Sequence, residues 1–188
     1  MRGNPTTPRV SIIGLGNVLL GDDGVGCLAV ELFRCQYKCG PEVEIIDAGT
    51  PGLDLAPYLY GRELVVIVDA VTADGKPGTV GTYRESDFLD SRAQLRLTDH
   101  DPGLEDSLAQ LRLAGRGPSE VVVVGVIPES CVFGGGMSST VLAATSLAID
   151  TIIRVLLEHG FDCQKRLQPM EPKLWWICDC TEHSINHR

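Results

Sequence analysis

The sequence predicts an α/β fold in which a buried, mostly parallel sheet is flanked by helices. Three observations lead there. Hydrophobic residues make up 44% of the 188 positions and aromatics only 5%, so Val, Ile, Leu, Ala and Gly fill a core large enough for one substantial domain. Short β-branched runs alternate with segments of helical spacing, the order that builds parallel strands joined by crossover helices. Two of the runs lead directly into an aspartate, Asp47 and Asp69, which places both acids at carboxyl ends of strands.

The elements follow in order. Residues 10–13 form an apolar run that stops at Gly14, and from Asp23 onward Val25, Leu28, Ala29, Leu32 and Phe33 take up helical spacing. This predicts a strand, a glycine-rich loop and a helix. Residues 43–46 and 64–68 are the next two strands, and Leu53, Leu55 and Leu59 between them predict the short helix that a parallel crossover needs. Residues 79–83 read as a weaker edge strand because of Gly81. Leu104, Leu108, Leu111 and Leu113 mark a helix after Pro102, and residues 121–127 give the strongest strand signal. Ser138 or Ser139 caps a last long helix that ends near Gly160. Its apolar part, residues 141–157, is interrupted by Asp150 and Arg154, which predicts a buried or amphipathic helix rather than a membrane span. Beyond it periodicity is lost. We therefore expect a single domain over residues 1–160 and a Cys- and His-containing tail over residues 161–188, with no internal repeat.

Charge and cysteines narrow the function. A net charge of −9 and a pI near 4.8 repel nucleic acid and anionic membranes as partners. Residues 1–9 lack the apolar core of a secretory signal. The seven cysteines, Cys27, Cys35, Cys39, Cys131, Cys163, Cys178 and Cys180, are odd in number and irregular in spacing, so reduced thiols in a cytoplasmic, soluble protein are expected.

The loop from Gly14 to Gly24 joins a strand to a helix as a dinucleotide-binding turn does, but Leu19 occupies the place of the third glycine. Asp22 and Asp23 would also repel a diphosphate. Either acid could cap the helix, or one could cap while the other faces a cleft. Asp69 sits where open α/β sheets form ligand crevices, though a bond to a loop amide would also explain it; Asp47 precedes a Gly49-Thr50-Pro51-Gly52 turn that it could simply stabilise. His100, in Thr98-Asp99-His100-Asp101-Pro102, precedes a helix and reads either as a surface residue or as a ligand. Two carboxylates and an imidazole on separate loops suit a borderline divalent cation such as nickel or zinc, with coordination positions left open. Neither HExxH nor GxSxG is present.

These motifs resemble the hydrogenase maturation protease family in order over residues 10–157. The glycine-asparagine loop with its acidic pair is Gly16-Asn17 through Asp22-Asp23-Gly24, and Asp47-Ala48-Gly49-Thr50-Pro51-Gly52 is similar to the second motif. Val68-Asp69-Ala70 resembles the third and His100 followed by Leu104 the fourth, with Val124-Gly125-Val126-Ile127-Pro128-Glu129 and Gly136-Met137-Ser138 closing the set. The resemblance implies a three-layer sandwich around a twisted, mostly parallel five-stranded sheet. It also implies an endopeptidase that removes a carboxyl-terminal extension from the precursor of a nickel-iron hydrogenase large subunit after nickel insertion. By carry-over, Asp23, Asp69 and His100 contact nickel supplied by that substrate, other divalent metals can occupy the site in isolation, and Asp47 serves substrate handling or cleavage. A monomer suits a protease that must embrace a large partner. Rival classes are a non-catalytic nickel-sensing chaperone and a small-molecule hydrolase using Ser138, Ser139 or Cys131, whose simpler roles are caps and a core thiol. In the tail, Cys178, Cys180, His183 and His187 could hold another metal, but their spacing fits a loosely packed segment better. Trp175 and Trp176 precede it and could dock on the core or meet a partner.

Overall fold

The central strand explains the rest of the architecture. Leu-Val-Val-Ile-Val-Asp-Ala-Val is apolar on both faces, a pattern that is stable only between two layers of helices. In the computed structural model, which describes residues 8–51, 55–89, 96–97, 102–174 and 176, this segment is β4 (Leu64–Thr72) and is buried up to its last residue. It pairs in parallel with β1 (Val10–Leu15) on one side and β7 (Glu120–Val126) on the other. β3 (Val43–Gly49) lies outside β1, also parallel, and β5 (Val80–Arg84) closes the far edge antiparallel to β7. The order is β3-β1-β4-β7-β5, with the short β6 (Arg96–Leu97) added to the end of β4.

Alternation along the strands divides the core in two. Ile12, Val66, Val68, Val122 and Val124 face α1 (Val25–Gln36) and α5 (Ser139–Glu158). Ile13, Val65, Ile67, Val121 and Val123 face Leu55 and Leu59 around α2 (Ala56–Leu59), and Leu104 and Leu108 of α4 (Pro102–Leu113). The three layers predicted from the resemblance are present. α5 is long and apolar enough to cross a membrane by composition, with a mean hydropathy of 1.8, but Val141, Ala148, Ile152 and Val155 are taken up by the sheet. Ser138 is its cap, accepting a hydrogen bond from the Val141 N–H at 3.2 Å.

Several expectations need correction. Asp47 and Asp69 do lie near the carboxyl ends of their strands, but the strands run further than the apolar runs, to Gly49 and Thr72. Neither Asp22 nor Asp23 occupies a helix N-cap: the chain enters α1 through a 3-10 turn (Gly21–Gly24) whose N-cap is Leu20, and Gly24 is the N-cap of α1. Nor are all cysteines reduced. β2 (Tyr37–Cys39) and β8 (Cys163–Lys165) form a separate antiparallel ribbon in which Cys39 pairs with Cys163 and the two are joined by a disulfide. Cys131 is exposed rather than a core thiol. The ribbon, α3 (Glu85–Leu89) and β6 are too short to carry a period, which is why sequence patterning does not announce them.

Candidate active site

Chain direction decides where a site can form. From β1 the chain first passes to β3 on one side, then returns across β1 to β4 on the other. Loops diverge at that reversal and leave a crevice at the carboxyl ends of β1 and β4. Asp23 follows β1 and Asp69 lies on β4, so topology delivers both acids to this crevice, and they are 2% and 1% exposed.

Glycines make the approach close enough. A Cβ on Gly26 would lie 2.0 Å from the Val68 carbonyl oxygen, so only glycine lets the first turn of α1 rest on β4 immediately before Asp69. Gly16, at φ +120°, would place a Cβ 1.8 Å from the Asp23 carbonyl oxygen. The Asp23 Oδ2 then accepts the Asn17 N–H at 2.7 Å, which fixes the carboxylate against the glycine loop. Asp69 Oδ1 accepts the Ala70 N–H at 2.8 Å.

The neighbouring acid has a different task. Asp22 is fully buried and binds the loop between β7 and α5: its Oδ2 accepts from the Glu129 N–H, the Ser130 N–H and the Ser138 hydroxyl, and its Oδ1 from the Ser138 N–H, at 2.6–3.0 Å. It is the pin joining two loops of the crevice. Ser138 is thereby committed both to Asp22 and to capping α5, which leaves it no freedom to act as a nucleophile.

Two cysteines that patterning did not assign to the site border these acids. The buried Cys27 thiol donates to the Gly16 carbonyl at 3.4 Å. Burial, then the charge and hydrogen bonding of Asp47, push its pKa far up, with a smaller push from Asp69. Asp47 itself is exposed and pairs in register with Gly14 of β1, so it flanks the same edge from β3. Cys131 stands at the mouth, where partial burial followed by the charges of Asp23, Asp22 and Asp69 raises its thiol to about 11. Such a thiol stays protonated at neutral pH and is a poor nucleophile. The signal for both was positional: Cys27 follows the acidic pair on α1, and Cys131 follows the strand next to β4. His100 lies outside the described residues, as do Cys178, Cys180, His183 and His187. Among the described residues no group of three His, Cys, Asp or Glu side chains stands ready to hold a metal.

Comparison with known proteins decides the family. The hydrogenase maturation protease family model matches residues 27–155. The chain belongs to the hydrogenase maturation protease family. The protease is 33% identical over 159 residues to the hydrogenase 2 maturation protease of Escherichia coli K12, covering 84% of this chain and 96% of that relative. It is 29% identical over 159 residues to the hydrogenase expression/formation protein HupD of Rhizobium leguminosarum bv. viciae, covering 84% and 79%. Its fold matches the hydrogenase maturating endopeptidase HybD of E. coli with a TM-score of 0.76 at 34% identity, over 84% of this chain and 98% of that one. The [NiFe] hydrogenase maturation protease HybD of Thermococcus kodakarensis matches with a TM-score of 0.64 at 29% identity, over 78% and 98%. The protease is thus an endopeptidase of hydrogenase processing, and Asp23 and Asp69 lie in the crevice of that fold.

Proposed function

We propose that this endopeptidase removes the carboxyl-terminal extension of a nickel-iron hydrogenase large-subunit precursor once nickel is in place, and that it recognises the substrate-bound nickel. The observation that carries the reading is the pair of buried carboxylates, Asp23 and Asp69, held at the β1/β4 crevice of a hydrogenase maturation protease. In this reading Asp23, Asp69 and His100 complete the coordination of nickel brought by the large subunit. Asp47, on the neighbouring strand, handles the substrate or assists cleavage. A metal there can polarise the scissile carbonyl or lower the pKa of a water, and a carboxylate can accept that water's proton. The protein acts as a monomer in the cytoplasm on this proposal, and other divalent metals occupy the same donors in isolation.

Substitution tests the trio. Asp23→Asn, Asp69→Asn and His100→Ala should each keep the wild-type far-ultraviolet circular dichroism spectrum and slow clipping of nickel-loaded precursor by about a hundredfold or more. A folded Asp23→Asn/His100→Ala double variant that clips at the wild-type rate would sink the assignment.

A further inference from the structure

Two of the loops at the rim of the crevice are uncharged in a chain of net charge −9. Residues 14–21, Gly-Leu-Gly-Asn-Val-Leu-Leu-Gly, and residues 130–138, Ser-Cys-Val-Phe-Gly-Gly-Gly-Met-Ser, contain no Asp, Glu, Lys, Arg or His. Three large apolar side chains project from them: Leu19 is 49% exposed, Val132 62% and Phe133 74%. The core does not use these side chains, and they stand together on two loops joined by hydrogen bonds, as a surface that meets a partner would.

The support beneath them is fixed. The Gly134 N–H donates to the Leu19 carbonyl at 3.0 Å, and the Asp22 N–H donates to the Ser130 carbonyl at 3.0 Å. Gly21, at φ +60°, brings the loops so close that a Cβ would lie 2.8 Å from the Ser130 oxygen and 2.9 Å from the Gly136 oxygen. The Asp22 carboxylate holds the second loop near its start and at its end, at Ser130 and Ser138.

Position ties this surface to the chemistry. β4 lies between β1 and β7, and the loops that follow those two strands carry the three side chains. These side chains therefore stand on the loops either side of the carboxyl end of β4, which bears Asp69. Val132 lies two residues from Ser130, whose N–H bonds the carboxylate of Asp22, the neighbour of Asp23, so the apolar loop adjoins the acidic turn of the crevice.

We propose that Leu19, Val132 and Phe133 form a docking platform for an uncharged, apolar stretch of the hydrogenase large-subunit precursor flanking the peptide to be cut. The inference rests on the proposed function and adds the residues that set substrate affinity. With no charge on these two loops, burial of apolar area supplies the attraction there, and Phe133 is the anchor because a projecting aromatic buries the most.

The test combines binding and turnover of nickel-loaded precursor by Leu19→Ser, Val132→Ser, Phe133→Ser and the triple variant, with thermal melts to verify folding. Leu157→Ser, an exposed residue at the opposite end of α5, is the control. Phe133→Ser should raise both KM and the directly titrated Kd about tenfold or more while kcat stays within about twofold, with a larger effect in the triple variant and none in the control. A folded triple variant with wild-type KM and Kd overturns the platform, and so does a variant that loses kcat at unchanged KM. If the wild-type protein binds precursor but never clips it, the proposed function fails and the Kd series alone decides the platform. If it neither binds nor clips, the occupant named here is wrong and both fall.

Discussion

At the residue scale, two adjacent aspartates divide the labour of the crevice. Asp23 is held by the Asn17 N–H and belongs to the proposed chemistry, whereas Asp22 accepts from three N–H groups and a hydroxyl and belongs to stability. Asp22→Ala removes the shared acceptor of those part-buried donors and leaves a void where a fully buried carboxylate stood, so the variant should lose about 3 kcal/mol in urea unfolding. A loss under about 0.5 kcal/mol would show that the loops do not depend on this pin. The sequence placed both acids near a helix start but could not separate them. The partners of Asp22 lie 107 to 116 positions away, beyond any local pattern. Asp69 was readable because an acid after a long apolar run must emerge at a strand's carboxyl end. The position of Cys131 after the strand next to β4 was readable, but its raised pKa was not, because the charges that help to raise it come from distant parts of the chain.

At the scale of elements, the ends of α1 and α5 remote from the crevice carry the stabilising links. The Cys39–Cys163 disulfide joins β2 to β8 and closes a loop of 124 residues. Chain-entropy reasoning gives a loop of that size about 5 kcal/mol, so Cys39→Ser should lower unfolding free energy toward that amount without changing kcat, because the crevice lies at the other end of the sheet. Equal stability of the variant and the oxidised parent would remove the ribbon from the account. His159, after α5, meets Glu120 at the start of β7 with Nε2 3.1 Å from the carboxylate and Nδ1 2.7 Å from the Val155 carbonyl. Burial lowers its pKa, but the Val155 bond and Glu120 outweigh burial and the net shift is upward from 6.5. The folded state therefore favours the imidazolium. This contribution is complete below the unfolded value of about 6.5 and is lost as pH rises through the raised folded value. Urea titrations from acid to mildly alkaline pH should show that loss in the parent and a flatter profile in His159→Gln. The long strands and helices were legible from period and composition, but a three-residue ribbon has neither, and its disulfide partners are too far apart in sequence to pair by eye.

At the scale of the whole molecule, the doubly wound sheet places one set of loops around one crevice, and family membership makes the protein an endopeptidase of hydrogenase processing. The order of strands was not legible, because hydrophobic runs define strands without saying which ones pair; the resemblance implied only a mostly parallel five-stranded sheet. The remaining claim is that nickel in the substrate gates the cut. The most direct measurement incubates the purified protein with nickel-loaded and nickel-free large-subunit precursor and determines the mass of the precursor's carboxyl terminus. Loss of one defined peptide from the loaded form alone is the predicted result; equal clipping of both forms, or clipping of neither while the protein binds tightly, would contradict it.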